Sequence, residues 1–155
     1  FAAGCFWGVQ YYFDQVPGVV ATEVGYTGGH TNKPSYEAVC THTTGHAEAT
    51  KVEFDSDKVS YEMLVRQFMR MHNPTELNRQ GPDIGDSYRS AIFYHDEVQK
   101  QTAQKTIDEL NKSQFDGKIV PTLEQARDWW PAEDYQQKFT ERTGQGFCHV
   151  PYKAI

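Results

Sequence analysis

The sequence holds no apolar run near the ~18 residues a membrane-spanning helix needs, so a soluble protein is expected. It is also short of positive charge: 15 Lys and Arg stand against 21 Asp and Glu, a formal net charge of −6. That balance weighs against nucleic acid or an anionic membrane as partner. Cysteine is scarce, and an odd, widely spaced set (Cys5, Cys40, Cys148) excludes a fully paired disulfide framework within the chain. Reduced thiols in a reducing, cytoplasmic compartment are therefore expected. Internal repeats, low-complexity tracts and linkers are lacking, so residues 1–155 are expected to form one domain. A chain of 155 residues can bury enough surface to fold without disulfides or a structural metal. No charged-then-apolar leader is present. Phe1-Ala2-Ala3 reads as the end of a strand cut off upstream, so the natural N-terminus, with any targeting signal or fused partner, is expected outside this chain.

What is present alternates between helix and strand patterns. After Cys5, apolar residues at Phe6, Val9, Phe13 and Val16 recur near every 3.6 residues until Pro17-Gly18, which predicts a short helix with Cys5 in its first turn. Val20 to Tyr26 alternates as a strand, and "SYEAVC" predicts one or two helical turns. In "HAEATKVEFD" one face of a strand carries Glu48, Thr50, Val52 and Phe54, so a glutamate stands on the apolar face. Ser60 caps a helix with Tyr61, Leu64, Val65, Phe68 and Met71 on one side, ended by Pro74. Residues 73–90 predict a long functional loop, "SAIFYH" a strand, 97–112 a helix and "KIVPT" a short edge strand. Pro131 is expected to start a last helix through Phe139, followed by glycine-punctuated coil. The sum is α+β.

The stretch "GCFWG", Gly4 to Gly8, is the chemical centre of this pattern. A cysteine in a first helical turn faces unpaired N–H groups and the positive end of the helix dipole, which favour the thiolate. Glycines on either side permit close approach of another molecule. Phe6 and Trp7 beside a nucleophile would make an apolar wall able to select a small nonpolar group.

Taken in order, "GCFWG", "GYTGG", "PSYEAVC", "TGHAE", "QGPDIGDSYRS", "AEDYQQ" and "GFCH" make the chain resemble the methionine sulfoxide reductase A family, from Gly4 to about His149. The resemblance implies a two-layer α/β sandwich with a ferredoxin-like core. It implies reduction of the S epimer of free or peptidyl methionine sulfoxide, a protein-repair activity that needs no metal, flavin or nucleotide. Cys5 would attack the sulfoxide sulfur and become a sulfenic acid, while Phe6 and Trp7 hold the S-methyl group. Glu48 would supply a proton to the sulfoxide oxygen, Tyr36 and Tyr88 would hydrogen-bond it, and Asp83 would line the pocket. Cys148 would condense with the sulfenic acid to a disulfide that thioredoxin reduces. Cys40 would be a noncatalytic packing residue, the enzyme a monomer, and oxidised proteins and peptides its substrates. The chain departs from the family's usual residues at Asn73, Pro82 and His149, where Asp, Asn and Gly are common. The residues agree where they can be read alone, because a carboxyl on an apolar strand face is desolvated in the way a proton donor near neutral pH requires.

Two other readings stay open at this point. Cys40, His42 and His46 lie within seven residues and supply three ligand types suited to zinc, as in a nonenzymatic binding module. A cysteine near a tryptophan also suits a cysteine hydrolase, although that chemistry needs a histidine base and none of the six histidines stands in a recognisable partner motif.

Overall fold

The computed structural model describes residues 1–80 and 83–146. Pro82, Cys148 and His149 lie outside the described residues. The elements are β1 (Ala2–Ala3), α1 (Phe6–Asp14), β2 (Val19–Thr27), α2 (Tyr36–Cys40), β3 (Ala47–Phe54), α3 (Tyr61–Arg70), β4 (Arg79–Gln80), β5 (Asp83–Ile84), β6 (Ser90–Tyr94), α4 (Glu97–Leu110), β7 (Thr122–Gln125), β8 (Trp130–Pro131) and α5 (Phe139–Thr143). Side-chain oxygens start three helices: Ser60, as the sequence suggests, accepts from the Met63 N–H, and Ser35 accepts from Ala38 and Asp96 from Gln99.

Two three-stranded sheets run β1-β6-β7 and β3-β2-β8. Phe1 and Thr50 join them by exchanging both backbone hydrogen bonds, at 2.9 and 2.8 Å, the pattern of an antiparallel pair. The α+β expectation is met, with helices layered on the joined sheet. One core unites Val9, Tyr12, Phe13 and Val16 from α1 and its end with Leu64, Val65 and Phe68 from α3 and Ala103, Ile107 and Leu110 from α4. Val52, Phe54 and Ile92 bring the sheet into it. The opposite face of β3 is buried too: Ala47 and Ala49 pack with Ala2 and Ala91 beneath Phe93 and Trp129. The long β2–β3 ladder sets Tyr26 opposite Glu48, with Gly25 opposite Ala49.

Three segments differ from the sequence reading. "KIVPT" is not the strand; β7 begins at Thr122, after Pro121, and pairs parallel to β6. Proline cannot donate to a ladder, so pairing starts only beyond it. Pro131 does not open a helix. Trp130–Pro131 pairs with Tyr26 and Gly25 as an edge strand, the Ala132 N–H continues to Val24 O at 3.0 Å, and helix resumes only at Phe139. The loop 73–90 is built rather than open: β4 and β5 form a hairpin and residues Asp86–Tyr88 a 3-10 turn. Buried Gln80 pins its base to Asn73, donating to Asn73 O at 2.7 Å and accepting from Asn73 N–H at 3.0 Å.

Candidate active site

Cys5 is the residue that caps α1, with φ −56° and ψ 122°, one step before the first helical turn in which it was expected. It is 8% exposed, reachable by a small group and otherwise enclosed. Glycine is required just before it: Gly4 has φ +86°, a conformation that L side chains adopt at a cost. The next backbone N–H, that of Phe6, donates to Glu48 Oε1 at 3.2 Å. The positive end of α1 is therefore shared between the thiol and a carboxyl. Glu48 itself is 1% exposed. Its carboxyl is thus held, out of solvent, on the N–H that follows the cysteine.

Around this pair, aromatic rings form a continuous wall. Phe6 packs on Tyr26 at 5.7 Å between ring centres, and Tyr36 lies nearly parallel to both Phe6 and Trp7 at 6.3 Å. Phe139 stacks on Trp7 at 4.1 Å. Gly146 closes over the same rings; a Cβ there would stand 2.9 Å from Phe139 and 3.0 Å from Trp7. Phe6 is buried in the wall and Trp7 half-exposed at its rim.

Polar groups meet at the other side. Burial pushes the Tyr36 hydroxyl well above its ordinary range, helped by the negative charges of Glu48 and Cys40. Tyr88 is pushed up likewise, first by burial and then by Glu48, Cys40, Asp83 and Cys5. Tyr88 is thus the point where the fields of these residues converge. Both phenols stay protonated and serve as hydrogen-bond donors. The fold therefore brings together Cys5, Phe6, Trp7, Tyr36, Glu48, Asp83 and Tyr88 from α1, α2, β3, β5 and the 3-10 turn. Cys148 falls outside the described residues.

Cys40 requires a correction. It is half-buried at the end of α2 rather than enclosed packing. Burial pushes this thiol up, and the nearby Tyr36 and Tyr88 hydroxyls only partly oppose that shift. The zinc reading fails on the partners these side chains take. His46 Nδ1 accepts from the Gly29 N–H at 3.1 Å and its Nε2 bonds Thr31 O at 2.8 Å, while His42 bonds Ser87 Oγ at 3.0 Å. Among the described residues no His, Cys, Asp and Glu side chains group as a metal site.

Sequence reasoning missed Tyr26, Glu133, Gln136 and Phe139. The motif "GYTGG" holds Tyr26 and "AEDYQQ" holds Glu133 and Gln136, but neither carries a local hint of what it touches. Glu133 accepts from the Tyr26 hydroxyl at 2.9 Å and the Tyr36 N–H at 3.1 Å, and Gln136 accepts from the Trp7 indole N–H at 2.5 Å. Chemically, the site offers an enclosed sulfur nucleophile, an apolar wall and a cluster of O–H donors beside a buried carboxyl. It suits a small molecule with a nonpolar end and a polar oxygen on an electrophilic atom.

Comparison with known proteins gives a consistent result. A sequence profile described as peptide methionine sulfoxide reductase matches residues 1–155. The peptide methionine sulfoxide reductase MsrA of Methanosarcina acetivorans is 53% identical over 145 residues, covering 93% of this chain and 77% of that protein. The crystal structure of reduced Mxr1 from Saccharomyces cerevisiae superposes with a TM-score of 0.90 at 31% identity, covering 96% of this chain and 86% of that one. Methionine sulfoxide reductase A of Corynebacterium diphtheriae gives 0.88 at 32% identity, over 97% and 80% of the two chains. With a profile matched from end to end and relatives this similar, the chain belongs to the peptide methionine sulfoxide reductase family.

Proposed function

We propose that this protein is an oxidoreductase that returns the S epimer of methionine sulfoxide, free or in peptides, to methionine, and so repairs oxidised proteins. The observation that carries the reading is the placement of Cys5 at the cap of α1 with Glu48 on the adjoining N–H and aromatic rings alongside. The Cys5 sulfur attacks the sulfoxide sulfur as the oxygen gains a proton. The oxygen passes to Cys5, releasing methionine and leaving a sulfenic acid. Glu48 supplies the proton from a buried carboxyl that sits on the Phe6 N–H beside Cys5. Tyr36 and Tyr88 donate to the oxygen, with Asp83 near Tyr88. Phe6 and Trp7 receive the methyl group.

Cys148 then displaces water from the sulfenic acid to give a Cys5–Cys148 disulfide, which the dithiol of thioredoxin reduces. Support comes from Gly146, which lies against Trp7 two residues before Cys148; two residues of extended chain reach about 7 Å. The same reading has a monomer of one domain working in the cytoplasm. Among the described residues no helix is long and apolar enough to cross a membrane. The test is chemical trapping: a Cys148→Ser variant, reacted once with N-acetylmethionine sulfoxide and then with a sulfenic-acid reagent, should carry one adduct on Cys5. An adduct confined to another cysteine, or methionine formed with none trapped anywhere, would remove Cys5 from the nucleophile's role.

A further inference from the structure

The segment Ala132–Phe139 has no part in the chemistry proposed above, yet it touches the aromatic wall at both ends. Gln137 fastens it to β2 by taking both backbone groups of Val24, accepting from its N–H at 3.0 Å and donating to its carbonyl at 2.9 Å. That is how a neighbouring strand would bind, supplied here by one side chain. From this anchorage Gln136, fully buried, accepts the indole N–H of Trp7, and Phe139 stacks on the same ring. At the other end the two carboxylate oxygens of Glu133 take different donors, Oε1 the Tyr26 hydroxyl and Oε2 the N–H of Tyr36.

The second bond matters because α2 is only five residues long, Tyr36–Cys40. A helix this short gains little from its own hydrogen bonds, so its orientation comes from the groups that hold its ends. Tyr36 is its first residue, whose N–H has no partner within the helix. Glu133 supplies that partner with an ionised group: burial opposes charge, but its own backbone N–H, then the Tyr36 N–H and the Tyr26 hydroxyl, outweigh it and hold the carboxyl below its ordinary value. Hydrogen bonds to a charged acceptor are stronger and more directional than neutral ones. Tyr26, the other partner, stands opposite Glu48 in the β2–β3 ladder. One carboxylate therefore ties the helix bearing Tyr36 to the strand pair bearing Glu48.

We infer that Glu133 is a positioning residue, which fixes the Tyr36 hydroxyl relative to Glu48 and Cys5 and so sets the rate of the reductive step. The inference rests on the role proposed for Tyr36. It predicts that damage at Glu133 is felt through the Tyr36 hydroxyl and not as a general loosening.

The test is a double-mutant cycle on the single-turnover rate, in the full chain with Cys148→Ser and with N-acetylmethionine sulfoxide at saturation. Glu133→Ala should slow the step by on the order of tenfold, below the ~10²-fold that a 1 Å misplacement can cost. Glu133→Gln should stay within about threefold, because its amide oxygen can still accept from the Tyr36 N–H while its N–H₂ donates to the Tyr26 oxygen. In a Tyr36→Phe background the alanine change should cost less than about threefold, since the group it positions is gone. If the tenfold loss persists undiminished in that background, Glu133 is merely structural and the inference falls. A normal rate for Glu133→Ala, with Tyr36→Phe slow, overturns the inference alone. A normal rate for Tyr36→Phe overturns the role of Tyr36 and the inference with it. Should the alanine variant not fold, Glu133→Asp keeps the charge but is one methylene too short to reach both donors. It should be slow, and a rate equal to the parent's would likewise refute the positioning role.

Discussion

Replacing Glu48 by Gln separates proton delivery from everything else this residue does. Glutamine has the same shape, and its amide oxygen can keep the bond from the Phe6 N–H now made at 3.2 Å. The cap of α1 and Cys5 should therefore stay in place, and stability should change by less than about 1 kcal/mol, the scale of one retained hydrogen bond. What is lost is an acidic proton beside the sulfur. Removing a general acid typically costs about 10²- to 10⁴-fold. The lower end applies here because Tyr36 and Tyr88, held protonated by burial, remain as donors to the developing oxyanion, and donors of that kind are worth about 10²–10³ each. Glu48→Gln should thus slow single-turnover reduction by on the order of 10²-fold, measured by rapid mixing with Cys148 replaced by Ser so that disulfide formation cannot mask the first step. A rate within about threefold of the parent's, well short of what loss of a general acid costs, would refute the assignment and move the proton source to Tyr36, Tyr88 or water.

Trp7→Ala removes the ring held between Tyr36 and Phe139; substrate saturation and rate should both fall, because methyl placement sets the line of attack on sulfur, and unchanged steady-state constants would return Trp7 to a packing role. Cys5→Ser should abolish product, Cys148→Ser should give about one equivalent of methionine but no turnover with thioredoxin, and Cys40→Ser, a change of similar size at a half-buried position, should stay within about threefold of the parent. Normal thioredoxin-dependent turnover by Cys148→Ser would move the resolving role to another residue. Burial raises Tyr61 from 10.0 to about 12. The folded state thus holds this proton more tightly than the unfolded state, so the stabilisation is complete below pH 10 and is lost as pH rises toward 12; a urea midpoint that does not fall across that interval would contradict it.

Much of the site was legible because the chemistry sits where local pattern is strong. The 3.6-residue spacing after Cys5 and the two-residue spacing around Glu48 mark which element carries each group, whereas the β2–β3 register is seen only in the structure. α3 was equally plain, since Ser60 and the stripe from Tyr61 to Phe68 mark both its start and its buried face. The segment from Trp130 to Phe139 was not legible. Its path is decided by Gln137 bonding the backbone of Val24 and by Glu133 reaching Tyr26 and Tyr36, partners about a hundred residues away for which no spacing rule exists. Pro131 gives a helix-start signal that tertiary pairing overrides. The setting of Cys40 was hidden for a similar reason: Tyr36 is its neighbour one helical turn back, but Tyr88 comes from the distant 3-10 turn.

The central claim is that an enclosed thiol, set between an aromatic wall and a cluster of hydroxyl donors, reduces one epimer of a sulfoxide. Racemic N-acetylmethionine sulfoxide incubated with the protein and dithiothreitol, with both epimers followed by chiral chromatography, tests it most directly. The S epimer should be converted to N-acetylmethionine until it is exhausted, and the R epimer should remain. Consumption of both epimers at similar rates, of R in preference to S, or of neither would contradict the account.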